Sequence, residues 1–589
     1  MKYFLFPLLF WSACASVPKV GDPAAKTRLQ AFGELGAVAT ANPHASAAAL
    51  EILRRGGTAA DAAIAAALVL GVTEPYSAGL GGGGFALVHD AAAGSQHALD
   101  FRERAPAAAL ATMYQDKAGK HQRELSLNGW LAVAVPGTPA GLEALYRLKL
   151  EGRGSLPFEQ LVLPAMRLAA EGFVVTPLLA ARIAARRDAL AKDPESSRLF
   201  LPAGRALQSG ARLVQSDLAE TLARYAELGA NDWRQGLTAQ RIAAAIDAGG
   251  GIVSESDFAS YRVKWRQPLS GSYRGHTVVS FPPPSSGGLH LLQMLALIER
   301  GERPSDATDP AAVHRRIEIM RRAYQDRARH LGDPEFYPVP VAGLLSKKHL
   351  DALNASIGAS ATPSSELNNP QPEAGPEAGA AVSSESDSTT HLSVIDRYGN
   401  AVSMTFTINY GFGAAVMAPG TGVLLNDEMD DFSAAPGQAN AYGLIGGKAN
   451  AIDGGKTPLS SMSPTLLLNS QDQLRLVIGS PGGPTIITTV LQILLHVIDG
   501  EMNLAQAIAQ PRLHHQWMPD CVIFDEGKLP GSLISDLKSL GHCLKGRSSI
   551  GNAQGVLVGK DGRLEAAADP RGEGLALALE AAKEEHAKP

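Results

Sequence analysis

Cysteine is scarce, with 3 in 589 residues, which excludes a disulfide framework and any zinc or iron–sulfur site built on four thiolates. Charge is also modest. Basic residues number 53 and acidic ones 58, for a net −5, and no run of Lys or Arg could track a phosphate backbone, so nucleic acid is excluded as a partner. Beyond the first few residues no stretch is apolar and long enough to cross a bilayer, because the Ala-rich run after Thr58 is interrupted by Asp61 and ends at Glu74-Pro75. What is abundant is apolar side chain, at 45%, enough to bury a core and too much for a disordered chain. Glycine (61) and proline (37) are also plentiful, and the glycines cluster, which points to loops of special backbone geometry. At about 150 residues per domain the length corresponds to roughly four domains, or to fewer if one large α/β unit absorbs it.

The chain opens MKYFLFPLLFWSACA: a Lys, an apolar run from Tyr3 to Trp11 too short to span a membrane, then small residues, the pattern of an export signal. Two processing readings compete. Ala13-Cys14-Ala15 fits a small-residue cleavage site, and Ser12-Ala13-Cys14 resembles the end of a bacterial lipoprotein signal, with residues 1–13 removed and Cys14 lipidated. The second is favoured, although Trp11 stands where such signals usually carry Leu. Both readings place the protein outside the cytoplasm, in the periplasm and, with a lipid, on a membrane. Cys521 and Cys543 are then the remaining thiols, and spacing alone leaves their pairing open.

Thr58 followed by Asp61 has the form of a capped helix start, with the helix running to about Gly71. The run Gly79-Leu80-Gly81-Gly82-Gly83-Gly84 precedes a buried strand, Phe85 to His89. Nucleotide-binding loops have the opposite order, with glycines after a strand and opening a helix, so the cluster reads as structural. Helical patterns recur over Phe158 to Gly172, Leu178 to Ala191, Ser216 to Leu228 and Ala312 to His330. Residues 355–388 turn to Ser, Pro, Glu, Ala and Gly, a composition that cannot offset its ordering entropy by burial and reads as a mobile linker. Beyond it come a hairpin, His391 to Asp396 and Ala401 to Ile408 around Tyr398-Gly399-Asn400, and a second, Thr465 to Leu468 and Leu474 to Gly479. The second runs into Ser480-Pro481-Gly482-Gly483 and a helix from Pro484 to Ile498. The pair His514-His515 lacks a third ligand at metalloprotease spacing and reads as structural.

At the junction stands Thr389-Thr390-His391. A Thr hydroxyl is a poor nucleophile unless a base lies beside it, but a Thr at a free chain end carries its own base, an α-amine of ordinary pKa about 7.7 to 8.0. That chemistry requires a cut between Ser388 and Thr389. Taken alone, a linker meeting a Thr-rich strand is usually only a domain junction.

The motifs TEPYSAGLGGGGFALVHD, LDFRERAP, SFPPPSSGG, TTHLSVIDRYGNAVSMTFTIN, LLNDEMDDFS, PLSSMSPT and GSPGGPTIITTVLQ, in this order and spread over most of the chain, resemble the gamma-glutamyltranspeptidase family. The resemblance implies an α/β fold of the N-terminal-nucleophile hydrolase type, an αββα sandwich formed jointly by two pieces of a self-cleaved precursor. It puts the large subunit at 14–388 and the small one at 389–589, together a heterodimer. It also implies a γ-glutamyl transferase and glutathione hydrolase that needs no metal or organic cofactor. Its substrates would be glutathione, other γ-glutamyl compounds and amino-acid or dipeptide acceptors.

Position by position, Thr389 matches the family's nucleophile and Thr407 the residue that orients it. Arg102 matches the residue gripping the donor's α-carboxylate, a task for a planar guanidinium, while Asn409, Glu428 and Asp431 match those holding its α-amino group. Ser460 and Ser461 match hydroxyls that share the carboxylate, and Tyr442 matches an aromatic in a lid over the pocket. Gly482 and Gly483 match the oxyanion hole, and here the sequence has its own argument: Pro481 and Pro484 lack an amide hydrogen, so these two glycines are the only donors in their loop. A related acylase on glutaryl, β-lactam or poly-γ-glutamate substrates is the rival enzyme, against which the charges of Arg102, Glu428 and Asp431 speak. An inactive exported scaffold lipoprotein is the rival outside catalysis.

Overall fold

The computed structural model describes residues 29–150, 156–303, 306, 308–373, 388–433 and 447–581. Its centre is two seven-stranded sheets packed face to face. In chain order the strands are β1 (Gln30–Gly33), β2 (Gly36–Thr40), β3 (Gly83–Asp90), β4 (Ser95–Asp100), β5 (Lys264–Arg266), β6 (Leu269–Tyr273), β7 (His276–Ser280), β8 (Thr389–Asp396), β9 (Ala401–Thr407), β10 (Thr465–Leu468), β11 (Leu474–Gly479), β12 (Gln554–Val558), β13 (Leu564–Ala568) and β14 (Leu575–Ala578). One sheet runs β14-β2-β8-β9-β3-β4-β5 and the other β1-β13-β12-β11-β10-β7-β6. Five helices matter to the site: α1 (Pro43–Arg54), α2 (Ala59–Thr73), α3 (Gly287–Glu299), α4 (Pro310–His330) and α5 (Thr485–Ile498).

The layering follows from the two-residue period of the strands. On the first sheet Leu392, Val394, Val402, Met404 and Phe406 face α2 and share one core with its Ala, Ile and Leu side chains. Their neighbours Ile395, Phe85 and Leu87 face inward, against Val279, Phe281, Leu466 and Val477 of or beside the second sheet, with the Phe85 and Phe281 rings 4.2 Å apart. Such a pair contributes about 0.5–1.5 kcal/mol beyond its area burial. The outer face of the second sheet packs Leu476 and Ile478 against α3, α4 and α5. The result is helix, sheet, sheet, helix.

Local signals account for the elements nearest the site. Thr58 and Asp61 form a reciprocal capping box on α2, and Asp396 accepts the Ala59 N–H at 2.8 Å, which ties the β8–β9 turn to the start of that helix. The glycines before β3 serve close approach: a side chain at Gly82 would collide with the Thr407 carbonyl, and one at Gly84 with that of Thr405. The expected hairpins are present, the second with the expected bounds.

Two expectations are corrected. The pattern from Leu178 to Ala191 is two helices, Pro177–Ala185 and Arg187–Leu190, interrupted at Arg186. Residues 355–373 do not behave as part of a mobile linker; they lie along α4. Leu367 is buried, Asn369 donates to Asp326 Oδ1 (2.6 Å) and to the Arg322 carbonyl (2.8 Å), and Ser364 bonds Asp520 Oδ2 (2.7 Å) and the Trp517 carbonyl (2.6 Å). Polar bonds to buried groups replace the apolar burial that the composition lacks. The remainder of the expected linker, 374–387, lies outside the described residues.

Candidate active site

β8 begins with Thr389, whose register partner on β9 is Thr407. Side chains directly opposite on paired strands share a face, so both hydroxyls point between the sheets. Thr389 Oγ1 donates to Thr407 Oγ1 at 3.2 Å. Thr407 Oγ1 in turn donates to the Ser388 carbonyl at 2.9 Å and accepts the Asn409 N–H at 2.8 Å. One hydroxyl therefore contacts both the candidate nucleophile and the carbonyl oxygen of the peptide bond preceding it. All these groups are buried. Asn409 adopts φ +70°, a left-handed conformation tolerated better by Asn than by most residues, and its Nδ2 donates to the Asp427 carbonyl at 3.1 Å.

A charged cluster adjoins this pair through β3. Gly83 is the register partner of Thr407, and the space its missing side chain leaves is occupied by the Glu103 carboxylate and the Phe101 carbonyl. Next to Glu103, the buried Arg102 guanidinium lies 2.6 Å from Glu428 Oε1 through Nη1 and 2.6 Å from Asp431 Oδ2 through Nη2. Glu103 itself lies 3.6 Å from Nη1. Burial, reinforced by the neighbouring Glu428 charge and opposed by Arg102, holds the Glu103 carboxyl well above the usual carboxylate range. Asp427 is likewise raised by burial, with Arg186 opposing. Three carboxyl groups thus surround one guanidinium.

Ser460 and Ser461 approach along another path. Ser460 forms a parallel bridge with Ser285, and its carbonyl accepts from the Ser286 N–H at 2.7 Å and hydroxyl at 2.8 Å. The Ser461 hydroxyl accepts from Arg327 Nη2 at 3.0 Å, and Arg327 Nε donates to Ser286 Oγ at 2.9 Å. Asn450 links the two groups, donating from Nδ2 to the Asp431 carbonyl at 2.7 Å and accepting the Leu459 N–H at 3.0 Å.

Gly482 and Gly483 follow the end of β11, with φ of +131° and +55°. Both values lie where a side chain is strained. Neither N–H donates to a partner among the described residues, while their carbonyls accept the Thr485 and Ile486 N–H at 3.1 and 3.0 Å at the start of α5. Two unspent backbone donors at a helix N-terminus suit developing negative charge.

Of the residues singled out in the sequence, Thr389, Thr407, Asn409, Arg102, Glu428 and Asp431 form one connected cluster, and Ser460, Ser461, Gly482 and Gly483 lie on loops that lead to it. Tyr442 lies outside the described residues, as do the export segment and Cys14. Sequence reasoning missed Arg327, Glu103 and Asn450. Arg327 gave no local signal: α4 has an ordinary apolar stripe through Val313, Ile317, Met320 and Tyr324, and only the structure shows that Arg327, off that stripe, is buried as well. His514 and His515 are taken up by protein partners, the first by Thr488 and Gln516 at 2.9 Å each, the second by Asp520 at 3.3 Å. Among the described residues no group of three His, Cys, Asp or Glu is placed to hold a metal, and no helix is long and apolar enough to cross a membrane. Cys521 and Cys543 are joined in a disulfide.

Residues 45–579 match the model of the gamma-glutamyltranspeptidase family. The chain is 40% identical over 538 residues to a glutathione hydrolase proenzyme of Escherichia coli, covering 91% of this chain and 90% of that one. To an acylase ACY 1 proenzyme of a Pseudomonas species it is 37% identical, covering 96% and 98%. Among solved structures it resembles a cephalosporin acylase from Bacillus halodurans with a TM-score of 0.83 at 30% identity, covering 97% of this chain and all of that one. The chain belongs to the gamma-glutamyltranspeptidase family and has its N-terminal-nucleophile αββα fold.

Proposed function

We propose that this enzyme cuts its own chain between Ser388 and Thr389, giving subunits 14–388 and 389–589 that remain one heterodimer. We propose further that it then hydrolyses or transfers the γ-glutamyl group of glutathione and related donors. The observation that carries the reading is the threonine pair set against an acidic pocket around one guanidinium. In the uncut chain, Thr389 Oγ attacks the Ser388 carbonyl carbon while the Thr407 hydroxyl, 2.9 Å from that oxygen, supports the developing charge. The C–N bond breaks, an ester forms on Thr389, and water hydrolyses it to leave a Ser388 carboxylate and a free Thr389 amine.

In turnover that amine, neutral near its ordinary pKa of about 7.7 to 8.0, accepts the hydroxyl proton as Oγ attacks the γ-amide carbon of the donor. Gly482 and Gly483 offer their N–H groups to the oxyanion, and the amine hands the proton to the leaving nitrogen. A γ-glutamyl ester results, and water or the amine of an amino acid or dipeptide takes the acyl group. Arg102, Ser460 and Ser461 hold the donor's α-carboxylate; Asn409, Glu428 and Asp431 hold its α-ammonium. Tyr442 belongs to the lid over this pocket. The start of the chain acts as an export signal with Cys14 as a lipid anchor, and the Cys521–Cys543 disulfide supports an oxidising compartment.

The acylase relatives raise the second reading, a glutaryl or β-lactam acylase. The same fold serves both, but a glutaryl donor carries no α-ammonium for the carboxyl groups of Glu428 and Asp431 to receive. Release from a γ-glutamyl anilide compared with the glutaryl anilide separates them. Loss of the ammonium should slow release about 100-fold or more, because a site built to bond a polar group rejects the analogue that lacks it. Faster release from the glutaryl compound would overturn the γ-glutamyl reading.

A further inference from the structure

His391 lies two residues beyond Thr389 on β8, on the same inward face, and is fully buried. A histidine so near a nucleophile invites an acid–base role, but its contacts give it a different one. Its Nε2 lies 3.0 Å from Ser393 Oγ, and Ser393 Oγ spends its own proton on the Gln554 carbonyl of β12 at 3.0 Å. The imidazole therefore carries its proton on Nε2, and Nδ1 accepts from Thr405 Oγ1 at 2.8 Å. Both ring nitrogens are committed.

The ring occupies the place a side chain would take at Gly479, where Cε1, Nδ1 and Nε2 all lie against the glycine. Gly479 ends β11, pairs in register with Gln554, and is followed directly by Ser480-Pro481-Gly482-Gly483. The same imidazole thus touches the nucleophile's strand, the strand that leads into the glycine loop and, through Ser393, the strand beside it. We propose that His391 is a positioning residue: packed on Gly479, it fixes the spacing between Thr389 and the backbone donors of Gly482 and Gly483. This rests on the proposed roles of Thr389 and of those glycines. The groups facing the ring, Thr405, Ser393 and Gly479, do not titrate, and burial pushes the imidazole down to about 3, so it stays neutral while the enzyme works.

The test uses the full-length protein with a γ-glutamyl anilide. His391→Ala should lower kcat about 10- to 100-fold, the effect of misplacing an oxyanion donor by an ångström or less, with KM within about twofold and the acid limb of the pH profile unmoved. Cutting of the precursor should continue, because the Ser388 carbonyl rests on Thr407 and not on the loop. Gly479→Ala should also lower kcat, and the double variant should be more active than the two single losses multiplied, since the new methyl enters the space the ring vacated. If His391→Ala does not accumulate folded, His391→Gln takes its place with the same readings. An unchanged kcat, a loss carried by KM, a displaced acid limb or strictly multiplicative effects would each overturn the proposal. Activity in Thr389→Ala would instead bring down the underlying assignment of the nucleophile.

Discussion

At the reacting end of the site, Thr389, Thr407 and Ser388 exchange hydrogen bonds among uncharged groups. One strand away, Arg102 sits among Glu103, Glu428 and Asp431, all buried. On the proposed roles, the two groups divide the work of one cavity. In that proposed division, bond making draws on a nucleophile whose base appears only after cleavage and on the backbone N–H groups of Gly482 and Gly483, neither of which requires a resident charge. Recognition of a zwitterion would draw on fixed charges, and the cost of burying them is offset in part by the contacts of Arg102 with Glu428 and Asp431.

Removing a group from either half tests that division. The largest effect is expected from Thr389→Ala, which should leave a single uncut chain on a denaturing gel and no detectable release of a γ-glutamyl anilide. Arg102→Lys keeps the charge and loses the fork that reaches both Glu428 and Asp431. It should lower kcat/KM by about 30- to 150-fold, the value of about 2–3 kcal/mol for charge-assisted bonds, chiefly through KM in steady-state kinetics and with precursor cutting intact. Loss of cutting in Arg102→Lys would break the proposed separation of the two halves. Ser461→Ala removes a neutral acceptor of Arg327 and should raise KM about fivefold, corresponding to about 1 kcal/mol.

The smallest effect concerns stability behind the reacting end. Glu74, at the C-terminal cap of α2 near Thr390, is pushed up by burial to about 7. A carboxyl raised in the folded state contributes stability that is whole below about pH 4.5 and is lost as pH rises through about 7. Glu74→Gln has no such loss, so its Tm relative to the parent should climb between those two values and level off above them. A Tm difference flat in pH would place the ionisation elsewhere.

Much of this arrangement is legible in the sequence because it is local. The capping box at Thr58 and Asp61, both hairpins and the glycines bounded by Pro481 and Pro484 each follow from a few adjacent residues. The pairing of Thr389 with Thr407 is nearly local, since one hairpin joins them. The remainder depends on distant partners. Arg327 reaches Ser461 over 134 positions, and His391 finds its place only because Gly479 of the other sheet leaves room for a ring. The segment 355–373 shows the limit of composition most directly. Few apolar residues there suggested mobility, yet Asn369 anchors it on the buried Asp326 of α4 and Ser364 on the loop around Asp520. The disulfide between Cys521 and Cys543 likewise depends on a geometry that spacing leaves open.

The central claim is that Thr389 becomes the chain end that acts. Intact-mass measurement and N-terminal sequencing of the purified active protein test it most directly. The account predicts two chains held together, the smaller one beginning Thr389-Thr390-His391 and running to residue 589. An active protein that remains one chain, or a small chain beginning at any other residue, would contradict it.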